Sequence, residues 1–114
     1  MAPRPAAAAW RTVSDAAAEV RTPLPLGPLP VWVGLGACAL DAGVHAWDIA
    51  VATGQPSPLG LTDARLLMAG ASRIVEPLRA FAYAPALPAN EADDELAALL
   101  RYLGRRPDWR RTPA

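Results

Sequence analysis

The sequence predicts an all-α fold, a bundle of about four helices with a proline-rich crossover loop, and three observations carry that prediction. Apolar residues recur at spacings of three and four through alanine-rich segments, the period of a helix with one buried side. The 13 prolines and 8 glycines fall mostly between those segments, where they interrupt helices. No run of alternating apolar and polar residues marks a convincing strand. The length of 114 residues, with 53% apolar and 19% charged residues, suits one modest core and excludes disorder as a description of the whole. The domain is expected over residues 6–109, with flexible ends at 1–5 and 110–114.

From Ala6 to Val20 the composition favours a first helix, with Trp10, Val13, Ala17 and Val20 as its apolar stripe and Arg11, Asp15 and Glu19 on the solvated side. Thr22 to Pro30 holds four prolines in nine residues, so it must run extended, with Leu24, Leu26 and Leu29 available to pack. The segment from Val31 to Thr53 reads as the central helix, stopped by Gly54. It is apolar nearly all round before Asp41, which makes it the most enclosed element expected. Thr62 is the expected N-cap of a helix reaching Ala82. Its buried side would be Leu66, Leu67, Ala71, Ile74, Val75, Leu78 and Phe81, and Pro77 should kink it. Tyr83 to Ala89 is a loop. Asn90 should cap a last helix, Glu91 to Leu103, with Leu96, Leu99, Leu100 and Leu103 inward and Gly104 ending it. Trp47 is expected in the core and Trp109 as an anchor of the C-terminal tail.

Eleven basic and eleven acidic residues cancel, so no bulk field recruits nucleic acid or an anionic membrane. Arg101, Arg105, Arg106, Arg110 and Arg111 do crowd the C-terminus, and a solvated tail accounts for them. A lone cysteine, Cys38, excludes an internal disulfide and fits a reducing cytoplasm. Cys38 reads as a small buried hydrophobe, since His45 lies two turns away, roughly 10 Å along the helix. Val31–Thr53 has the length of a membrane span, but its three ionisable groups, Asp41, His45 and Asp48, favour a buried helix of a soluble, cytoplasmic protein. No signal peptide is recognisable.

Those three ionisable groups are the one place where chemistry concentrates. On a helix Asp41, His45 and Asp48 fall at i, i+4 and i+7, nearly in line. His45 is the only histidine of the chain. A carboxylate and an imidazole one turn apart can share a metal ion. They can equally satisfy each other as a hydrogen-bonded pair inside a non-catalytic bundle. Both readings require Asp41 and His45 to lie on a buried edge.

The residues Val44-His-Ala-Trp-Asp-Ile-Ala50, followed by Val51-Ala-Thr-Gly-Gln-Pro56, resemble the signature helix of the mycothiol-dependent maleylpyruvate isomerase-like proteins. These belong to the DinB/YfiT-like superfamily of metal-dependent helical bundles. The closing Leu103-Gly-Arg-Arg-Pro-Asp-Trp109 is similar to the end of an actinobacterial branch known only as metal-binding proteins. The resemblance covers roughly residues 6–109. It implies part of a DinB-like four-helix bundle holding a divalent metal, usually zinc, with mycothiol as the thiol. It also implies His45 as the last metal ligand, Asp41 as the preceding one, and Asp48 as the aspartate beside the site that orients them. Relatives begin with about two further helices that carry the first histidine ligand and part of the thiol pocket. This chain is therefore expected to hold an incomplete site, finished by a homodimer partner or by a chain supplying the missing helices. The implied chemistry is thiol-dependent isomerisation or transfer at a metal-bound thiolate. The alternative is a non-catalytic helical protein, or an oligomerising interaction module, in which Asp41 and His45 are a structural pair.

Overall fold

Three helices and one short antiparallel strand pair make up a computed structural model that describes residues 8–9, 11–15, 17–22 and 25–112. The elements run β1 (Glu19–Val20), β2 (Leu29–Pro30), α1 (Val31–Ala52), α2 (Leu61–Leu78) and α3 (Glu95–Tyr102). The molecule is mostly helical, but the strand pair corrects the expectation of helices alone.

The N-terminal stretch departs furthest from its propensity. Among the described residues only Ala8, Ala9 and Arg11 are helical, and Trp10 lies outside them. Local side-chain bonds compete with a helix here. The Thr12 hydroxyl donates to the Ala9 carbonyl at 2.7 Å, and an Asp15 carboxylate oxygen accepts from the Ala17 N–H at 3.0 Å. Chain reversal at Gly27 (φ 72°) then lets β1 pair with β2, Glu19 opposite Pro30 and Val20 opposite Leu29. The Val31 N–H donates to the Ala18 carbonyl at 2.8 Å, so the strand pair leads straight into α1.

α1 ends where the sequence places its stop, with Gly54 in the left-handed region at φ 73°. α2 is the middle element and packs against both neighbours. It starts two residues earlier than expected, at Leu61, and Thr62 is not its cap. The Gly60 N–H donates instead to the Asp63 carboxylate at 2.9 Å. Pro77 sits in the last turn, so α2 stops at Leu78 rather than bending on to Ala82. α3 is capped by Asp94, whose carboxylate accepts from the Ala97 N–H at 2.8 Å. The expected cap, Asn90, accepts from the Ala92 N–H in a turn of its own, and α3 begins four residues later than expected.

The core is mostly the expected leucine and valine set. Val33, Leu40 and Val44 of α1 meet Leu67, Ala71, Ile74, Val75 and Leu78 of α2, with Leu99 and Leu103 closing the far side. Trp47 is buried as expected, whereas Leu66 and Phe81 are open to solvent. Cys38 is exposed as well, which corrects its reading as a buried hydrophobe. α1 and α2 come closest at two glycines: a Cβ added to Gly70 would lie 3.2 Å from the Gly36 Cα. Burial of the apolar side chains around that contact is the main stabilising term.

The turn after α3 offers a sharp check. Gly104 adopts φ +82°, and a Cβ there would meet Ala84 Cβ at 2.7 Å and the Pro85 carbonyl at 2.9 Å. Gly104→Ala therefore combines backbone strain with a clash, and is expected to cost about 2–4 kcal/mol in urea unfolding at neutral pH. A loss below about 0.5 kcal/mol would show that the turn is not packed this way.

Candidate functional site

The i, i+4, i+7 spacing does bring the three predicted residues together on α1. His45 stands between the two carboxylates, with Nε2 3.2 Å from Asp41 Oδ1 and Nδ1 3.5 Å from Asp48 Oδ2. The expected buried edge is absent, however. The side chains of Asp41 and His45 are 72% and 61% exposed, because the groups facing the core from α1 are Val33, Leu40, Val44 and Trp47 on the other side. α1 is apolar nearly all round, so its composition could not say which side is covered.

Asp48 has a stronger partner than His45. Arg105 grips it with two bonds, Nε donating to Oδ1 at 2.8 Å and an Nη to Oδ2 at 2.7 Å. This paired fork geometry is the strong form of a guanidinium–carboxylate contact. The bond from Arg105 holds the Asp48 carboxyl below its ordinary value of 3.8, with Arg105's charge adding to it and partial burial opposing. Arg105 is raised in turn by the same bond. The pairing fastens the segment after α3 to the side of α1, across 57 residues of sequence. Arg101 is likewise paired, with Asp93 at 2.9 Å, so two of the C-terminal arginines are structural rather than a solvated tail. Trp109 is partly exposed.

Beside Asp41, between α1, α2 and the strand pair, lies a cleft of about 440 Å³. Gly34, Ala37, Ile74 and Leu78 form much of its wall, and Arg21, Thr22, Cys38, Asp41 and Tyr83 contribute its polar groups. Burial pushes the Tyr83 phenol up, and the Asp41 charge pushes it further. Tyr83 and Arg105 are the two residues of this region that sequence reasoning missed. Each comes from a loop outside the helix periodicity, and only the fold shows that they reach α1.

A carboxylate and an imidazole are suitable zinc donors. Their number falls short, because a catalytic zinc keeps three protein ligands and a water. Among the described residues no three His, Cys, Asp or Glu side chains are grouped to hold a metal ion. The guanidinium on Asp48 also disfavours that carboxylate as a third donor, leaving it to orient His45 through Nδ1. The donor types therefore fit a divalent ion while the donor set is incomplete. No protein-family model, curated protein or solved structure matches the chain.

The Asp48–Arg105 pair gives a pH-dependent stability. A carboxylate whose folded pKa is depressed stabilises the fold above its unfolded value and loses that contribution as pH falls through the folded one. Arg105→Gln should cost about 1 kcal/mol in urea unfolding at pH 7, discounted for the pair's partial exposure. The deficit should shrink as pH is lowered below the ordinary Asp value of 3.8. A deficit that is constant with pH would mean that the bond to Asp48 contributes nothing.

Proposed function

We propose that this chain is a DinB-type, mycothiol-dependent maleylpyruvate isomerase-like helical protein that presents Asp41 and His45 as two ligands of a divalent-cation site. Asp41 and His45 lack the buried edge that the sequence called for, so the reading rests on the 3.2 Å between Asp41 Oδ1 and His45 Nε2 alone. Two such donors one turn apart converge on a space that a cation can enter from solvent. In this reading the three helices are part of a four-helix bundle, and the remaining ligand lies outside the described residues. Zinc is the first candidate ion in a reducing, cytoplasmic setting, and mycothiol the first candidate thiol. A bound divalent ion would supply Lewis acidity, lowering the pKa of a coordinated thiol or water. The residues of this chain would do the rest: Asp48, held by Arg105, stands 3.5 Å from the His45 ring, and the neighbouring cleft offers apolar walls to the organic part of a ligand. With two protein ligands, affinity in the isolated chain is weak, and the thiol chemistry belongs to a completed site.

One observation favours a second reading. Both His45 nitrogens already face carboxylates, and Asp48 is committed to Arg105. That arrangement also serves a non-catalytic helical protein in which Asp41 and His45 are a structural pair on the surface.

Zinc titration separates the two. Wild-type chain should bind zinc at least about tenfold more tightly than His45→Ala or Asp41→Asn, a difference of about 1.4 kcal/mol. Equal zinc affinity in all three proteins would remove the cation site and leave the ion pair.

A further inference from the structure

α1 carries a second apolar face that the described chain covers only in part. Trp32, Leu35, Ala39, Ala42, Ala46 and Ile49 follow one another at spacings of 3, 4, 3, 4 and 3. They fall within an arc of about 100° on the helix, centred about 120° round from the line of Leu40 and Trp47. All six are exposed, Leu35 at 43% and Ile49 at 63%. That alternation of three and four is the seam pattern by which two helices interlock over several turns.

We infer that a second copy of this chain covers the face, with its α1 running antiparallel across a two-fold axis level with Leu40 and Asp41. Isologous pairing demands a face complementary to itself, and this one is so in a single antiparallel register. Trp32 then meets Ile49 of the partner subunit, Leu35 meets Ala46 of the partner subunit, and Ala39 meets Ala42 of the partner subunit. Large residues face small ones in the second layer, and the alanine layer at the centre lets the helices approach closely. A parallel pair would instead stack Trp32 on its own copy and leave the alanine layers under-filled.

Charge supports the same direction. Antiparallel helices oppose their dipoles favourably. The last turn of α1 holds no basic residue, and Arg73 stands over the Trp32 ring at 5.3 Å. The two-fold would bring Arg73 to the C-terminal, partly negative end of the partner subunit's α1. Leu66, 69% exposed, lines a groove with Ala39 and Gly43 at the level of the axis, so it is drawn toward its own copy. The seam is about 27 Å long and 10 Å wide, and the groove beside α2 roughly doubles it. Two copies then bury on the order of 1,000 Å², the lower bound for a specific interface.

α1 also has the length and apolarity of a membrane span. Insertion would strip it from α2 and α3, whereas the dimer covers the open side and leaves the core intact. The dimer does not require the cation site, because none of the six seam residues is a metal ligand.

Sedimentation of the full chain in chelator, from about 1 to 300 µM, tests it. A monomer–dimer equilibrium is expected for wild type, and Ala42→Glu should raise its dissociation constant at least about tenfold with an unchanged circular dichroism spectrum. The register is read by mixing two proteins in a Cys38→Ser background, one bearing Leu35→Cys and the other Ala46→Cys. Preferential mixed disulfides support the antiparallel seam, and preferential disulfides between like chains overturn it. A wild-type monomer throughout, a dimer unaffected by Ala42→Glu, or a dimer that needs zinc would each overturn the inference. So would a monomer that floats with phosphatidylcholine vesicles. Loss of zinc binding with the chelated dimer intact would instead count only against the cation site.

Discussion

Gly36 and Gly70 have no side chains where α1 crosses α2, and the rest of the molecule depends on that absence. With a Cβ from Gly70 only 3.2 Å from the Gly36 Cα, alanine would ask the helices to give by a few tenths of an ångström, and a bulkier side chain by more. The separation would open the layer of Val33, Leu40, Ala71, Ile74 and Val75 on which both helices rest. It would also lift α1 from the level at which Arg105 reaches Asp48. One backbone contact therefore sets the core, the anchoring of the segment after α3, and the orientation of the carboxylate beside His45.

The sequence shows where helices stop better than where they start. Gly54 and Gly104 both take the positive φ that makes glycine a stop signal. The starts were obscured by competing caps. Asp63, Asn90 and Asp94 each bond a nearby backbone N–H, and composition does not rank one such residue above another. The N-terminal failure has the same origin. Alanine propensity from Ala6 to Val20 is real, but each residue contributes only a few tenths of a kcal/mol. Among the described residues from Thr12 onward, bonds made by Thr12 and Asp15 and pairing across Gly27 compete with it.

For the site, spacing was sufficient to predict which side chains meet and insufficient to predict their surroundings. Helical geometry alone fixes Asp41 and Asp48 on either side of His45. Whether that line is enclosed depends on which face of α1 meets α2, and a helix apolar on every side carries no amphipathic signal to decide it. The glycines decide it, because Gly36 and Gly43 turn toward α2 and its adjoining loop. Partners from distant loops are harder still. Arg105 belongs to a cluster of arginines that local sequence cannot tell apart, and only the turn at Gly104 aims it at α1.

An exposed site on an apolar helix has a physical consequence that links the two open features of α1. His45 and Asp41 stand in water, so their attraction for each other or for an ion is weakened by a high dielectric constant. The seam from Trp32 to Ile49 runs along the adjoining strip of the same helix. Covering that strip would exclude water from one flank of His45 while leaving the flank toward the cleft open. Exclusion of solvent strengthens an electrostatic contact whichever partner makes it, a carboxylate or a divalent ion. Association through the apolar face would therefore tighten the polar site beside it without adding a single new bond. By reciprocity, anything bound at Asp41 and His45 that prefers the covered state must favour the paired state to the same degree.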